Sequence, residues 1–269
     1  MSFDVIDWQQ PWLAPFKDTG QQLLRSGDWL HAANQIACQQ DLRTTSNHPV
    51  VFVPQHTLAA DIAYEAHIHA SGEVPTRDNL HDFFNTLAWL HFPHIKKMLN
   101  ALHAASQSRI SDTVGNVGNV GTRGRARDAA TLFDENAALF VCSDQHSAEA
   151  LRWHQWPQLL QHSPDEFFSK TAVVLFGHAL IEKLITPYKA ITAHVWIVRV
   201  EPDWFAFNTH QRIDDLDCRA AAAISKGFSS ADFAHLPVLG VPGWWPGQDA
   251  DFYKDTSVFR ALRDKPAAS

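Results

Sequence analysis

Apolar and polar positions along the chain fall into blocks of helical and extended period. Gly20–Gln39 carries Leu23, Leu24, Trp29, Leu30 and Ile36 at helical spacing. PVVFVP at 49–54 is a short β-branched run between prolines and predicts a strand. Residues 58–70 read as a helix stopped by Ser71-Gly72, and a second helix starts near Asp78, with Thr76 or Asp78 as its cap. That second helix has two unlike faces. Leu80, Phe83, Phe84, Leu87 and His91 form the apolar stripe, while His81, Asp82, Asn85 and Trp89 gather opposite, where a surface helix carries Lys and Glu. Pro93 breaks it, and a further helix with Ile95, Met98, Leu99 and Leu102 runs to about Ser106.

Residues 111–127, SDTVGNVGNVGTRGRAR, lack an apolar period and predict a mobile loop. TLFDENAALFV at 131–141 reads as two short strands around an Asp134-Glu135-Asn136 turn. Helical signals cover 147–161 with a break at Pro157, TAVVLF at 171–176 is a strand, and 178–185 is a turn or two of helix. ITAHVWIVRV at 191–200 is the strongest strand pattern, and 212–226 is an Ala-rich helix. The proline-rich tail from His235 to Arg260 predicts an extended strap anchored by Trp244, Trp245, Phe252 and Phe259. Strands and helices do not alternate as a doubly wound sheet requires. The expected fold is therefore α+β, with several helices on a small, mostly antiparallel sheet in one domain spanning 1–269.

Composition narrows the function classes. The chain has 269 residues, 45% hydrophobic and 19% charged, enough for a sizeable core that 10 Trp and 17 Phe make bulky. A net charge of −7 argues against general nucleic-acid affinity. Cys38, Cys142 and Cys218 are far apart and odd in number, which points to a reducing compartment and away from a cysteine zinc site. The first residues carry no basic leader pattern, and no apolar run reaches the roughly 20 residues of a membrane span, so a soluble cytoplasmic protein without membrane contact is expected.

Four constellations carry candidate chemistry. His81-Asp82 offers an imidazole and a carboxylate, ligand types for Zn, Mn or Fe; adjacent His-Asp on a helix is also the hallmark of HD phosphohydrolases, and the plain alternative is a core histidine beside a helix-start acid. His178 and Glu182, four apart, share a helical face and can join one ion or each other. Asp134-Glu135-Asn136 is either a turn or a source of carboxylates for metal binding and proton transfer. Arg127-Asp128 is either an ion pair closing the loop or an anion clamp. His67, Asn79 and Lys96 loosely echo His-Asn-His nuclease spacing, but no later histidine completes it. G-x-S-x-G, H-E-x-x-H and the phosphate-loop pattern are absent from the sequence.

The motifs TRDNLHDFFN, WLHFPHIKKMLN, RDAATLFDEN, FGHALIEKL, ITAHV and PVLGVPGWWP, spread between about Tyr64 and Arg260, resemble a bacterial family catalogued as domain of unknown function number 3025. The resemblance implies one domain and leaves activity open. His81, Asp82, Asn85, Arg127, Asp128, Asp134, Glu135, Asn136, His178 and Glu182 stand at motif positions, whereas the Gly-Asn-Val loop and the extra histidines His67 and His94 depart from the pattern. The leading expectation is a metal-assisted hydrolase for a small phosphate-containing or other anionic substrate. His81, Asp82, His178 and Glu182 are its expected ligands, Asp134 or Glu135 a further ligand or the proton acceptor, and Arg127 its anion holder, with Asn85, Trp89, Asp128 and Asn136 in support. The alternative is a metal-free binding or interaction protein held by a buried polar network.

Overall fold

A helix buried on every side forms the centre of the protein. The computed structural model describes residues 3–108, 120–227 and 229–262. Its elements in chain order are α1 (Lys17–Arg25), α2 (Trp29–Gln39), β1 (Val51–Pro54), α3 (Tyr64–Ser71), β2 (Glu73–Thr76), α4 (Leu80–His91), α5 (Pro93–Ser108), α6 (Val120–Asn136), β3 (Ala137–Cys142), α7 (Gln145–Arg152), α8 (Trp156–Leu160), α9 (Pro164–Phe168), β4 (Thr171–Leu175), α10 (His178–Lys183), β5 (Thr192–Arg199), α11 (Thr209–Ser225), β6 (Ala234–Pro237) and α12 (Ala250–Tyr253). The fold is α+β. One four-stranded sheet has the order β4-β3-β5-β6, antiparallel at both outer pairs and parallel between β3 and β5. A separate pair, β1 and β2, is parallel, unlike the antiparallel pairing expected.

The central helix is α4. Asn79, rather than Thr76 or Asp78, caps it by accepting the backbone N–H of Asp82 at 2.8 Å. It stops at Phe92 because the following Pro93 disfavours helical geometry before it and supplies no N–H. From Asp82 to Leu90 every residue is buried, so the face that reads as polar is interior too. It packs against α2, α5, α10 and α11. Upstream, Gly72 ends α3 at φ +80°, and a Cβ there would lie 2.1 Å from the Pro49 carbonyl oxygen; backbone conformation and space both require glycine.

Strands β3 and β4 are buried along their whole length and read as unbroken apolar runs. Helix α6 lies against the sheet through Phe133, whose ring meets Phe176, Trp196 and Phe233 at 5.1–6.1 Å. The tail after β6 is the expected strap, with Trp244, Phe252 and Phe259 buried and Trp245 half-buried. It is more structured than foreseen, since β6 pairs with β5 and α12 supplies a helical turn.

Three expectations are corrected. The segment read as a loop over 111–127 lies partly outside the described residues, but from Val120 onward it is helix. Asp134-Glu135-Asn136 is the last turn of α6, not a hairpin turn between two strands. Ala129, Ala130 and Phe133 are fully buried at helical spacing, and the arginines before them hide that period. The helix expected over 58–70 also shortens to Tyr64–Ser71. Among the described residues no helix is long and apolar enough to cross a membrane.

Candidate functional site

Three helix ends meet beside α4. His81 stands in the first turn of α4, Glu135 in the last turn of α6, and His178 is the first residue of α10. The approach depends on Gly177, where a Cβ would lie 2.5 Å from the Ala137 nitrogen and the Glu135 carbonyl oxygen, and 2.6 Å from the Asn136 nitrogen. Only a residue without a side chain lets α10 begin this close to the α6–β3 junction.

Nε2 of His178 lies 3.1 Å from Nε2 of His81 and 3.5 Å from Oε2 of Glu135. One ligand-type atom from each of the three falls within 4.8 Å of the others. Two donors about 2.0–2.1 Å from a tetrahedral ion stand roughly 3.3 Å apart, so the spacing suits a divalent cation. On its other side, Nδ1 of His81 is 2.9 Å from Oε2 of Glu182. A carboxylate can only accept there, so Nδ1 carries the proton and Nε2 keeps its lone pair toward the cluster, the pattern of an oriented metal-binding histidine.

Electrostatics follow burial. The His178 ring is lowered to about 4, first by burial, against the pull of Asp134, and is neutral at physiological pH. Burial, helped by the neighbouring Asp134, raises the Glu135 carboxyl above its ordinary value. Behind the cluster, Lys96 donates to Asp134 at 2.6 Å and to Asn85 at 2.8 Å, with its ammonium 5.5 Å from the Trp89 ring. Asn85 in turn donates to the Tyr64 hydroxyl at 3.3 Å. Burial pushes the Asp134 carboxyl up, but Lys96 and His178 more than offset this and hold it below its ordinary value. Burial and surrounding carboxylates raise the Tyr64 hydroxyl well above its usual range.

The sequence-selected residues therefore separate. His81 and His178 converge, ring nitrogen to ring nitrogen. Glu135 joins them, with a carboxylate oxygen in the same group. Glu182 holds His81 in place instead of pairing directly with His178. Asp82 turns away: both its oxygens accept from Arg77, at 3.0 Å to Nε and 3.0 Å to Nη2, with the Arg77 backbone N–H at 2.6 Å. It fixes the β2–α4 turn and lies outside the group formed by His81, Glu135 and His178. Asp134 is committed to Lys96. Asn136 accepts from Lys183 at 2.8 Å, tying α6 to α10. Trp89 and Asn85 are buried supports. Arg127 and Asp128 are exposed on α6, two turns before Asp134, and share no hydrogen bond with the cluster. Sequence reasoning missed Arg77, Tyr64 and the partner role of Lys96. A lysine three residues after the helix-breaking Pro93, next to the apolar stripe position Ile95, is the one signal that could have pointed to Lys96.

Fold and cluster together define an α+β protein with a two-histidine, one-carboxylate centre. The chain belongs to the family described as "Protein of unknown function (DUF3025)", which matches residues 50–263 and so takes in every residue of the cluster. No curated protein and no solved structure matches it.

Proposed function

We propose that the protein is a metal-dependent hydrolase acting on a small phosphate-containing or other anionic substrate. The convergence of His81 Nε2, His178 Nε2 and a Glu135 oxygen from three helices is the observation that carries this reading. Nitrogen and oxygen donors suit Zn, Mn or Fe, and three protein ligands leave positions for water and substrate. His81, His178 and Glu135 would hold the ion, which when bound would supply Lewis-acid activation of water at neutral pH. Around it the chain supplies positive charge. Arg77 acts electrostatically on Glu182 while its guanidinium stays largely exposed, and Lys183 and Lys96 both act on Glu135. Arg77 and Lys183 thus replace Arg127 as the groups that draw in an anion. Glu182 keeps the His81 ring in one tautomer and orientation, and the Lys96–Asp134 pair fixes the end of α6 that presents Glu135.

The second reading is a metal-free binding protein. It is favoured by one observation: His178, His81 and Glu182 already form a continuous hydrogen-bonded chain. Metal analysis and titration separate the two. The hydrolase reading expects the purified chain to hold a divalent metal that His81→Ala with His178→Ala removes, and to hydrolyse an aryl phosphate only when loaded. Glu182→Gln should keep the fold and weaken metal affinity about 10–100-fold. Absence of metal at this cluster, with no shift in melting temperature on adding Mn2+ or Zn2+ to a chain whose distant sheet-edge imidazoles, the cross-strand pair His194 and His235, are replaced by alanine, rules out the reading.

A further inference from the structure

A second group of imidazoles lies away from this cluster, at the edge of the sheet. His194 of β5 and His235 of β6 are direct cross-strand partners, and their ring centroids stand 5.1 Å apart. His154, in the turn after α7, brings a third ring to 6.4 Å from His235. Its backbone is left-handed at φ +53°, and its ring stacks on Trp156 at 4.7 Å. Nδ1 of His154 is 3.0 Å from the Arg260 carbonyl oxygen, which also accepts from Trp156 Nε1 at 2.8 Å. A carbonyl only accepts, so Nδ1 must carry the proton and Nε2 is left as a free lone pair. Backbone carbonyls holding one nitrogen this way orient histidines whose other nitrogen binds a metal.

We propose that His154, His194 and His235 form a second, surface binding site for a borderline-soft divalent cation such as Zn2+ or Cu2+. Two imidazoles on one tetrahedral ion, with metal–nitrogen distances near 2.0–2.1 Å, place their ring centroids about 5 Å apart, which the strand pair already satisfies. The 6.4 Å to His154 is wider, so binding requires the half-buried His154 ring and the exposed His235 ring to draw together. An all-imidazole set selects Zn2+ and Cu2+ over Mg2+ or Ca2+. Because His154 holds Arg260, an ion here would tie the sheet edge to the C-terminal strap. This site shares no residue with the His81 cluster and does not depend on its function.

Two measurements test it on the full chain. In zinc titrations of the His81→Ala/His178→Ala chain, one ion should still bind, and adding His194→Ala and His235→Ala should weaken that binding at least tenfold; unchanged affinity overturns the proposal. If those variants do not fold, the wild-type chain titrated with Cu2+ to two equivalents serves instead. The ring proton resonances of His154, His194 and His235 should broaden while those of the exposed His56 stay sharp. Rings of the strand pair as sharp as His56, or broadening that spares His154, refutes the three-ligand site.

Discussion

At the residue scale, burial decides which side chains do chemistry and which hold structure. Trp89 lies on the helical face that reads as polar, yet it is 2% exposed and packs under the Lys96 ammonium. Trp89→Ala should therefore cost about 3–5 kcal/mol in chemical denaturation, because the surrounding helices can only partly collapse into the gap. His91 gives a pH signature. Burial, with a smaller push from His210, lowers its ring to about 4, against about 6.5 in an unfolded chain. Between those values the unfolded chain binds the extra proton, so this contribution is complete above about pH 6.5 and is lost as pH falls toward 4, by up to about 3 kcal/mol. His178 adds loss of the same sign in metal-free protein. Denaturation curves across pH 4–7 should show that His91→Leu removes part of this acid sensitivity. His81 and His178 were legible in the sequence because paired polar residues on apolar helices are unusual. Asp82 was misread because helical spacing alone cannot show that Arg77, five residues back, takes both of its oxygens.

At the element scale, the site exists because three helix termini abut, and Gly177 sets the distance. Gly177→Ala would drive a Cβ into backbone atoms of Glu135, Asn136 and Ala137, none of which can rotate away. The variant should lose about 1–3 kcal/mol or more of stability, and calorimetric titration should show weakened metal binding as His178 and Glu135 separate. Most elements were readable from period and punctuation: Gly72 as the stop of α3, Pro93 between α4 and α5, and the β-branched runs of β4 and β5. The junction of α6 with β3 was not. A helix that passes into a strand with no intervening loop leaves no turn residues except polar ones, and Asp-Glu-Asn imitates a hairpin. That single misreading also hid the position of Glu135, since only a helix end aims its side chain at α10 and α4.

At the scale of the whole molecule, the strap and the two sheets hold the helices in register. The Tyr253 hydroxyl donates to the Gly240 carbonyl at 3.0 Å, and Lys189 pairs with Asp255 at 2.8 Å while its ammonium lies 4.4 Å from the Phe252 ring. One contiguous apolar core runs from Ile6 to Phe259. The class α+β was legible because strand and helix patterns do not alternate. The pairing of β1 with β2 and of β3 with β5 was not, since parallel pairing joins segments that periodicity treats independently. The same is true of the site: sequence spacing supplied the histidines, and only the long-range packing of α4, α6 and α10 brings residues 81, 135 and 178 together. X-ray absorption spectroscopy of the zinc-loaded His194→Ala/His235→Ala chain tests this convergence most directly. The proposed metal site predicts one bound ion with two imidazole nitrogens and carboxylate or water oxygens at about 2.0–2.2 Å, lost in His178→Ala. A chain that retains no zinc, or holds it with the same shell after His178 is removed, would contradict the account.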